Sequence, residues 1–200
     1  MRILALEVST ARGSLALLNA GQSDFAREWQ NDRKNSGPLF EYLDEMRKEL
    51  EKPDVIIVGL GPGSYAGTRI AISTAIGLQR AFNARLIGYP SICGISCGAR
   101  EYIVVGDARR QTFFLTRIRD NNLVEGPTLM TEAELAGKLD KIDRTMSIFS
   151  VEQLPQFEQV KVRYPSAKLL AHLGGDPKRN FTQPPLEPIY LREPHITLPK

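Results

Sequence analysis

Gly61, Gly63 and Gly67 stand at the junction of two segments with opposite habits. Before them, Asp54-Val55-Ile56-Ile57-Val58 is a short β-branched run bounded by turn residues, which predicts a strand buried on both faces. After them, Ile70 to Phe82 is rich in alanine and isoleucine and free of helix breakers apart from Gly77, which predicts a helix. A strand that turns into a helix through glycines belongs to α/β proteins. They use that junction for a ligand or for a close backbone contact.

Three ligand-binding patterns can be tested on this loop. A phosphate-binding P-loop needs a lysine after the last glycine, and here Thr68 and Arg69 follow a spacing one residue too short. A dinucleotide fingerprint fits Gly61-x-Gly63-x-x-Ala66, but it needs an acidic residue about twenty positions later. None occurs from Val55 to Arg100. A nucleophile elbow needs Gly-x-Ser-x-Gly, whereas Ser64 directly follows Gly63. Ser64 reads instead as the N-cap of the helix, its hydroxyl accepting an orphan amide.

Gly67, Ala71 and Ala75 recur every fourth residue and form a small-residue stripe on one helix face. Such a stripe lets another element approach closely, either from this chain's own fold or from a partner. Ile70, Ile72, Ile76 and Leu78 surround it, so little of the helix is polar.

The remaining pattern repeats. Ile3–Val8 and Ser14–Leu18 read as a strand pair around the turn Ser9–Gly13, with Ser23–Trp29 continuing the meander. Ser36 caps a helix in which Leu39, Leu43, Met46 and Leu50 share a face. After the glycine-loop helix come a strand at Arg85–Tyr89 and a short helix from Pro90 to Ile95. A second cycle opens with Tyr102–Val105, a turn at Gly106–Arg110 and Thr112–Ile118. Thr131 and Glu134 form a capping box for a helix to Leu139. Met146–Val151 and Val160–Val162 are weaker strands, and Ala167–Leu173 is a short helix. A proline-rich tail from Pro184 is expected to lie across the surface. Two lobes result, 1–98 and 99–200.

Two hundred residues suffice for such a core, and the net charge of +3 is too small to argue nucleic-acid binding alone. Cys93 and Cys97 lack redox or zinc spacing. The apolar start is broken by Glu7 and is too short for a signal peptide, and nothing approaches a membrane span. The expectation is a cytoplasmic chain.

Paired hairpins in separate lobes are what the actin/heat-shock/sugar-kinase (ASKHA) superfamily uses to grip nucleotide phosphates. The resemblance narrows on four segments. Leu4-Ala5-Leu6-Glu7-Val8-Ser9-Thr10, Gly61-Pro62-Gly63-Ser64-Tyr65-Ala66-Gly67-Thr68-Arg69, Asp107-Ala108-Arg109 and Pro188-Ile189-Tyr190-Leu191-Arg192 occur in the order seen in the TsaB (YeaZ) family, which this chain resembles from end to end. The resemblance implies an ASKHA-like, duplicated ribonuclease-H-like α/β fold with a reduced second lobe. It also implies a non-catalytic subunit for making threonylcarbamoyl-adenosine beside the anticodon of tRNAs that read codons beginning with A. The implied partners are the catalytic TsaD subunit, a small TsaE ATPase, and a second copy of the chain when it is alone. tRNA would be reached indirectly through the complex.

Family pairing uses the first two helices. That maps the partner contact onto Leu39, Leu43, Met46 and Leu50 with Gly67, Ala71 and Ala75, while Gly61, Pro62, Gly63, Ser64, Gly67 and Arg69 are the family-motif loop. Glu7, Ser9, Thr10, Asp107 and Arg109 are the vestigial nucleotide-site candidates. No cofactor or metal is expected for this chain alone, and nucleotide only within the complex. Two departures support loss of chemistry: Glu7 stands where family members carry aspartate, and Asn35 where many carry histidine. The extra methylene shifts a carboxylate by about 1.5 Å, which a Mg²⁺ site with bonds of about 2.0–2.1 Å tolerates poorly. The helix matching the catalytic subunit's His-x-x-x-His pair contains no histidine.

Each candidate also has a structural reading: Glu7 bonding its neighbouring turn, and Asp107 capping its own. Arg192 in the tail is expected to dock on the first lobe. The competing functions are a stand-alone ATPase or phosphotransferase using Glu7, Ser9 and Asp107, and, more weakly, a dinucleotide-dependent oxidoreductase.

Overall fold

Along the first strand, β1 (Arg2–Glu7), successive side chains serve two different cores, as the two-residue period of a strand requires. Ile3 and Ala5 face one apolar cluster, and Leu4 and Leu6 the other. The structure is a computed structural model and describes residues 1–19, 22–31, 37–47 and 52–192. The predicted helix cap Ser36, together with Asn35, Leu50 and His195, lies outside the described residues.

The first lobe runs β1, β2 (Arg12–Asn19), β3 (Gln22–Gln30), α1 (Gly37–Arg47), β4 (Val55–Gly59), α2 (Tyr65–Phe82) and β5 (Arg85–Tyr89). Its strand order is β3-β2-β1-β4-β5, with the β1–β2 and β2–β3 pairs antiparallel and the β1–β4 and β4–β5 pairs parallel. A 3-10 turn at Ser91–Gly94 leads out. The second lobe repeats the plan: β6 (Glu101–Asp107), β7 (Thr112–Arg119), β8 (Asn122–Thr131), α3 (Glu132–Leu139), β9 (Ser147–Ser150) and β10 (Lys161–Val162), in the order β8-β7-β6-β9-β10. Directions match pair for pair. The duplicated ASKHA-like fold is therefore present. The second lobe is reduced because turns replace a counterpart of α2 between β9 and β10.

β8 is missing from the sequence expectation. Gly126-Pro127 hid it, because proline interrupts a ladder and reads as loop. Here the pair sits at a register irregularity of an edge strand, where a missing donor costs little. Gly126 has φ +80°, and a Cβ there would press on the Leu115 carbonyl.

α1 and α2 cover one face of the first sheet. The other face meets the second lobe and α4 (Ala167–Gly174), which returns to pack on β1, β2 and β4. Ser14 on β2 accepts the Ala167 amide at 2.9 Å, capping α4 from the sheet beneath it. Opposite, Tyr89 ties the lobes together: its hydroxyl lies 2.8 Å from the Asn121 carbonyl in the β7–β8 turn and accepts from Arg179 at 3.3 Å.

One expectation is corrected here. The stripe Ala71–Ala75 is fully buried in this chain's own core, as are Leu39 and Met46, so these residues face inward and do not form an exposed partner surface. Leu43 is packed partly against the same core, and a Cβ on Gly67 would overlap the Val8 carbonyl oxygen. A small residue every fourth position serves a sheet and a partner helix equally well, so spacing could not choose. The tail lies across the surface as expected, with Pro184, Pro185, Glu187 and Tyr190 exposed, and is anchored on the first lobe at two points. Leu186 is buried against the first-lobe core, and the Ile189 amide donates to the Leu60 carbonyl at 2.8 Å.

Candidate functional site

The two hairpin turns, the glycine loop and the tail converge on a cleft of about 490 Å³ between the lobes. Ser9 and Thr10 come from the β1–β2 turn, Gly63 to Ala66 and Thr68 from the start of α2, Asp107 and Arg109 from the β6–β7 turn, and Ile189 and Tyr190 from the tail. Glu7 does not line it.

Glu7 is buried completely beneath the cleft. Its Oε1 accepts the Ser9 amide at 2.8 Å and the Ser9 hydroxyl at 2.5 Å, so the carboxylate holds its own turn. Oε2 has no hydrogen-bond partner among the described residues and points at Gly59, where a Cβ would overlap it. Burial pushes the Glu7 carboxyl above the usual carboxylate range, and the hydrogen bonds from Ser9 offset this only in part. Ser91 accepts the Gly61 amide at 2.8 Å, pinning the glycine loop.

The remaining hairpin groups are spent in the same way. The Ser9 carbonyl accepts the Ser64 amide at 2.5 Å, and the Thr10 hydroxyl donates to the Arg12 carbonyl at 2.9 Å. Asn31, which sequence reasoning missed, donates its side-chain amide to the Val8 and Thr10 carbonyls at 3.1 and 2.9 Å. A polar residue just past the end of a strand carried no pattern that would single it out. Across the cleft, Asp107 Oδ1 accepts the Arg109 amide at 2.6 Å, and Oδ2 accepts its guanidinium at 2.7 Å. Glu152 accepts the Asp107 amide at 3.1 Å and adds a second carboxylate to the cleft wall.

The glycine loop owes its composition to close approach. A Cβ on Gly63 would overlap the Ser9 carbonyl, and Gly61 holds φ +92°. Ser64 is the N-cap of α2, accepting the Gly67 amide at 3.3 Å as expected from the sequence. Pro62 lines the cleft, and Arg69 lies 4.5 Å over the Tyr65 ring. Within each hairpin the polar side chains are turned onto one another, Glu7 onto Ser9 and Asp107 onto Arg109. Among the described residues, no group of three or more His, Cys, Asp or Glu side chains could hold a metal ion.

The family model for TsaD, tRNA N6-adenosine threonylcarbamoyltransferase, matches residues 35–181. The chain belongs to the TsaD family. Its fold is that of YeaZ. A crystal structure of an uncharacterized protein with similarity to peptidase YeaZ from Pseudomonas aeruginosa superimposes with a TM-score of 0.74 at 22% identity, covering 96% of this chain and 99% of that one. YeaZ from Pseudomonas aeruginosa gives a TM-score of 0.67 at 24% identity, over 87% and 90%. The TsaB (YeaZ) resemblance read from the sequence therefore stands. An uncharacterized protein, ML0378, of Mycobacterium leprae is 28% identical over 144 residues, which are 70% of this chain and 38% of that protein. The chain thus spans well under half the length of this curated relative.

Arg192, in the last family segment, reaches the second lobe and not the first: its guanidinium donates to the Thr112 hydroxyl. The tail crosses the cleft, so its end meets β7. Among the described residues, no helix is long and apolar enough to cross a membrane.

Proposed function

We propose that this TsaD-family chain is a non-catalytic subunit of the machinery that installs threonylcarbamoyl-adenosine in tRNA, and that it binds and activates the catalytic TsaD-type subunit. The observation that carries this reading is the self-satisfied pair of hairpins: Glu7 is buried under its own turn, and Asp107 is locked to Arg109. A phosphotransferase needs those groups free to meet a nucleotide.

Since the stripe faces inward, the partner contact moves to the outer faces of α1 and α2. Phe40 is 50% exposed and Ile76 42% exposed, and the rim of Gly77 is open. The outer face of α1 carries Glu41 and Asp44, while the exposed charge of α2 away from the cleft is Arg80. Opposite charge on adjacent helices suits a two-fold pairing of α1 on α2, so the same face serves a second copy when the catalytic subunit is missing. A TsaE-type ATPase joins through the assembled complex, and the work takes place in the cytoplasm.

Titration calorimetry of the full chain with Mg-ATP tests the non-catalytic half of the reading. No saturable heat and no turnover are expected. Micromolar binding abolished by Asp107→Asn would install the phosphotransferase instead.

A further inference from the structure

The mouth of the cleft carries a feature that the pairing face does not use. Tyr65 and Tyr190 are 48% and 39% exposed, and their rings lie 5.5 Å apart at the cleft edge. Arg69 covers the Tyr65 ring. Across the opening, Arg109, Arg110 and Gln111 hold φ of 67°, 53° and 59°, three consecutive side chains in the left-handed region. Each such residue costs about 1 kcal/mol. The turn presents Arg110 to solvent, with no hydrogen bond or ion pair among the described residues. Exposed aromatic rings, here tilted by 37° to one another, beside guanidinium groups are the elements of a single-stranded nucleic-acid site.

The interior of the cleft favours a base over a phosphate. Glu152 and Asp107 put two carboxylates there against the single cation Arg109, which Asp107 already neutralises. Phosphate is repelled from that depth and drawn to the cationic rim, whereas the amino and imino groups of a base can donate to carboxylates. A cavity of about 490 Å³ admits one nucleoside.

We propose that the mouth of this cleft binds an unpaired nucleotide of a single-stranded RNA segment, with its base on the Tyr65–Tyr190 pair and its backbone phosphates on Arg69 and Arg110. The proposal rests on the tRNA-modification reading for the identity of the RNA, but its geometry is independent of α1 and of the pairing face. The chain would then touch RNA itself, in addition to acting through a catalytic partner.

Fluorescence anisotropy of the full chain with a labelled single-stranded RNA heptamer tests this. Wild-type binding should saturate, Tyr190→Phe should retain it, and Tyr190→Ala should weaken it about tenfold, the scale of one lost base stack. Arg110→Gln should lower the slope of log affinity against log salt by about 0.7, one phosphate contact on a single strand. The proposal is overturned by absent RNA binding, or by a Tyr190→Ala variant that binds normally while melting normally. It is also overturned if Tyr190→Ala spares RNA and abolishes capture of the catalytic subunit, because the rings are then a protein contact. Failure of the pairing face alone, with RNA binding intact, would overturn the functional reading and leave this site standing.

Discussion

Glu7 shows how a buried carboxyl can brace the turn that follows it. In the folded chain its proton is held more tightly than in the unfolded one, because burial disfavours the charge. The folded state therefore binds more protons than the unfolded state above the ordinary carboxylate pKa of 4.5, and stability falls as pH rises from there through the raised value. Glu7→Gln keeps an acceptor for Ser9 and removes the titration. Thermal melts from pH 5 to 9 should show the variant gaining on the wild type as pH rises. A constant difference across that range would mean that Glu7 is not held neutral. Sequence alone offered both a ligand and a turn brace for Glu7, since both use a carboxylate at a strand end. The choice is made by the Ser9 amide and the closed environment beneath the loop, which a linear pattern does not encode.

At the scale of elements, α2 contains glycines with opposite roles. Gly67 lies on the Val8 carbonyl, so Gly67→Ala must displace backbone and should cost about 1–3 kcal/mol, the range of overpacked cores. Gly77 has nothing within 4 Å of a would-be Cβ. Gly77→Ala should add about 0.5–1 kcal/mol by relieving the entropy cost of a mid-helix glycine. Denaturant titration of the two variants checks both signs, and the account fails if they shift stability in the same direction. Ala75→Leu belongs with Gly67: it should lower the melting temperature while leaving the affinity of the folded fraction for the catalytic subunit unchanged. Reduced affinity at a normal melting temperature would return the stripe to the interface. Most elements were legible because their periods are strong, such as the β-branched run of β4 and the Thr131–Glu134 capping box of α3, whose reciprocal bonds are both present. β8 was illegible because its Gly-Pro pair is tolerated only by virtue of its edge position. Only tertiary placement confers that. The repeat offers one further signal: a second lobe opening with two paired strands should continue, like the first, into a third.

At the scale of the molecule, the two lobes are held together at the back and across the cleft. Tyr89 joins β5 to the β7–β8 turn, and the tail runs from Leu60 past the cleft to Thr112. The outside of α1 and α2 is left free for the proposed partner contact. The most direct test of the central claim is a calorimetric titration of the catalytic TsaD-type subunit with the full chain, wild type and Ile76→Glu, alongside their melting temperatures. Ile76 is exposed, so a charge there should leave the melting temperature within about 1–2 °C, as surface substitutions away from packed sites do. It should weaken pairing at least tenfold by placing an unpaired charge in an apolar contact. Unchanged affinity for a folded Ile76→Glu chain, or no measurable binding by the wild type, would contradict the claim that this face makes the chain a partner subunit.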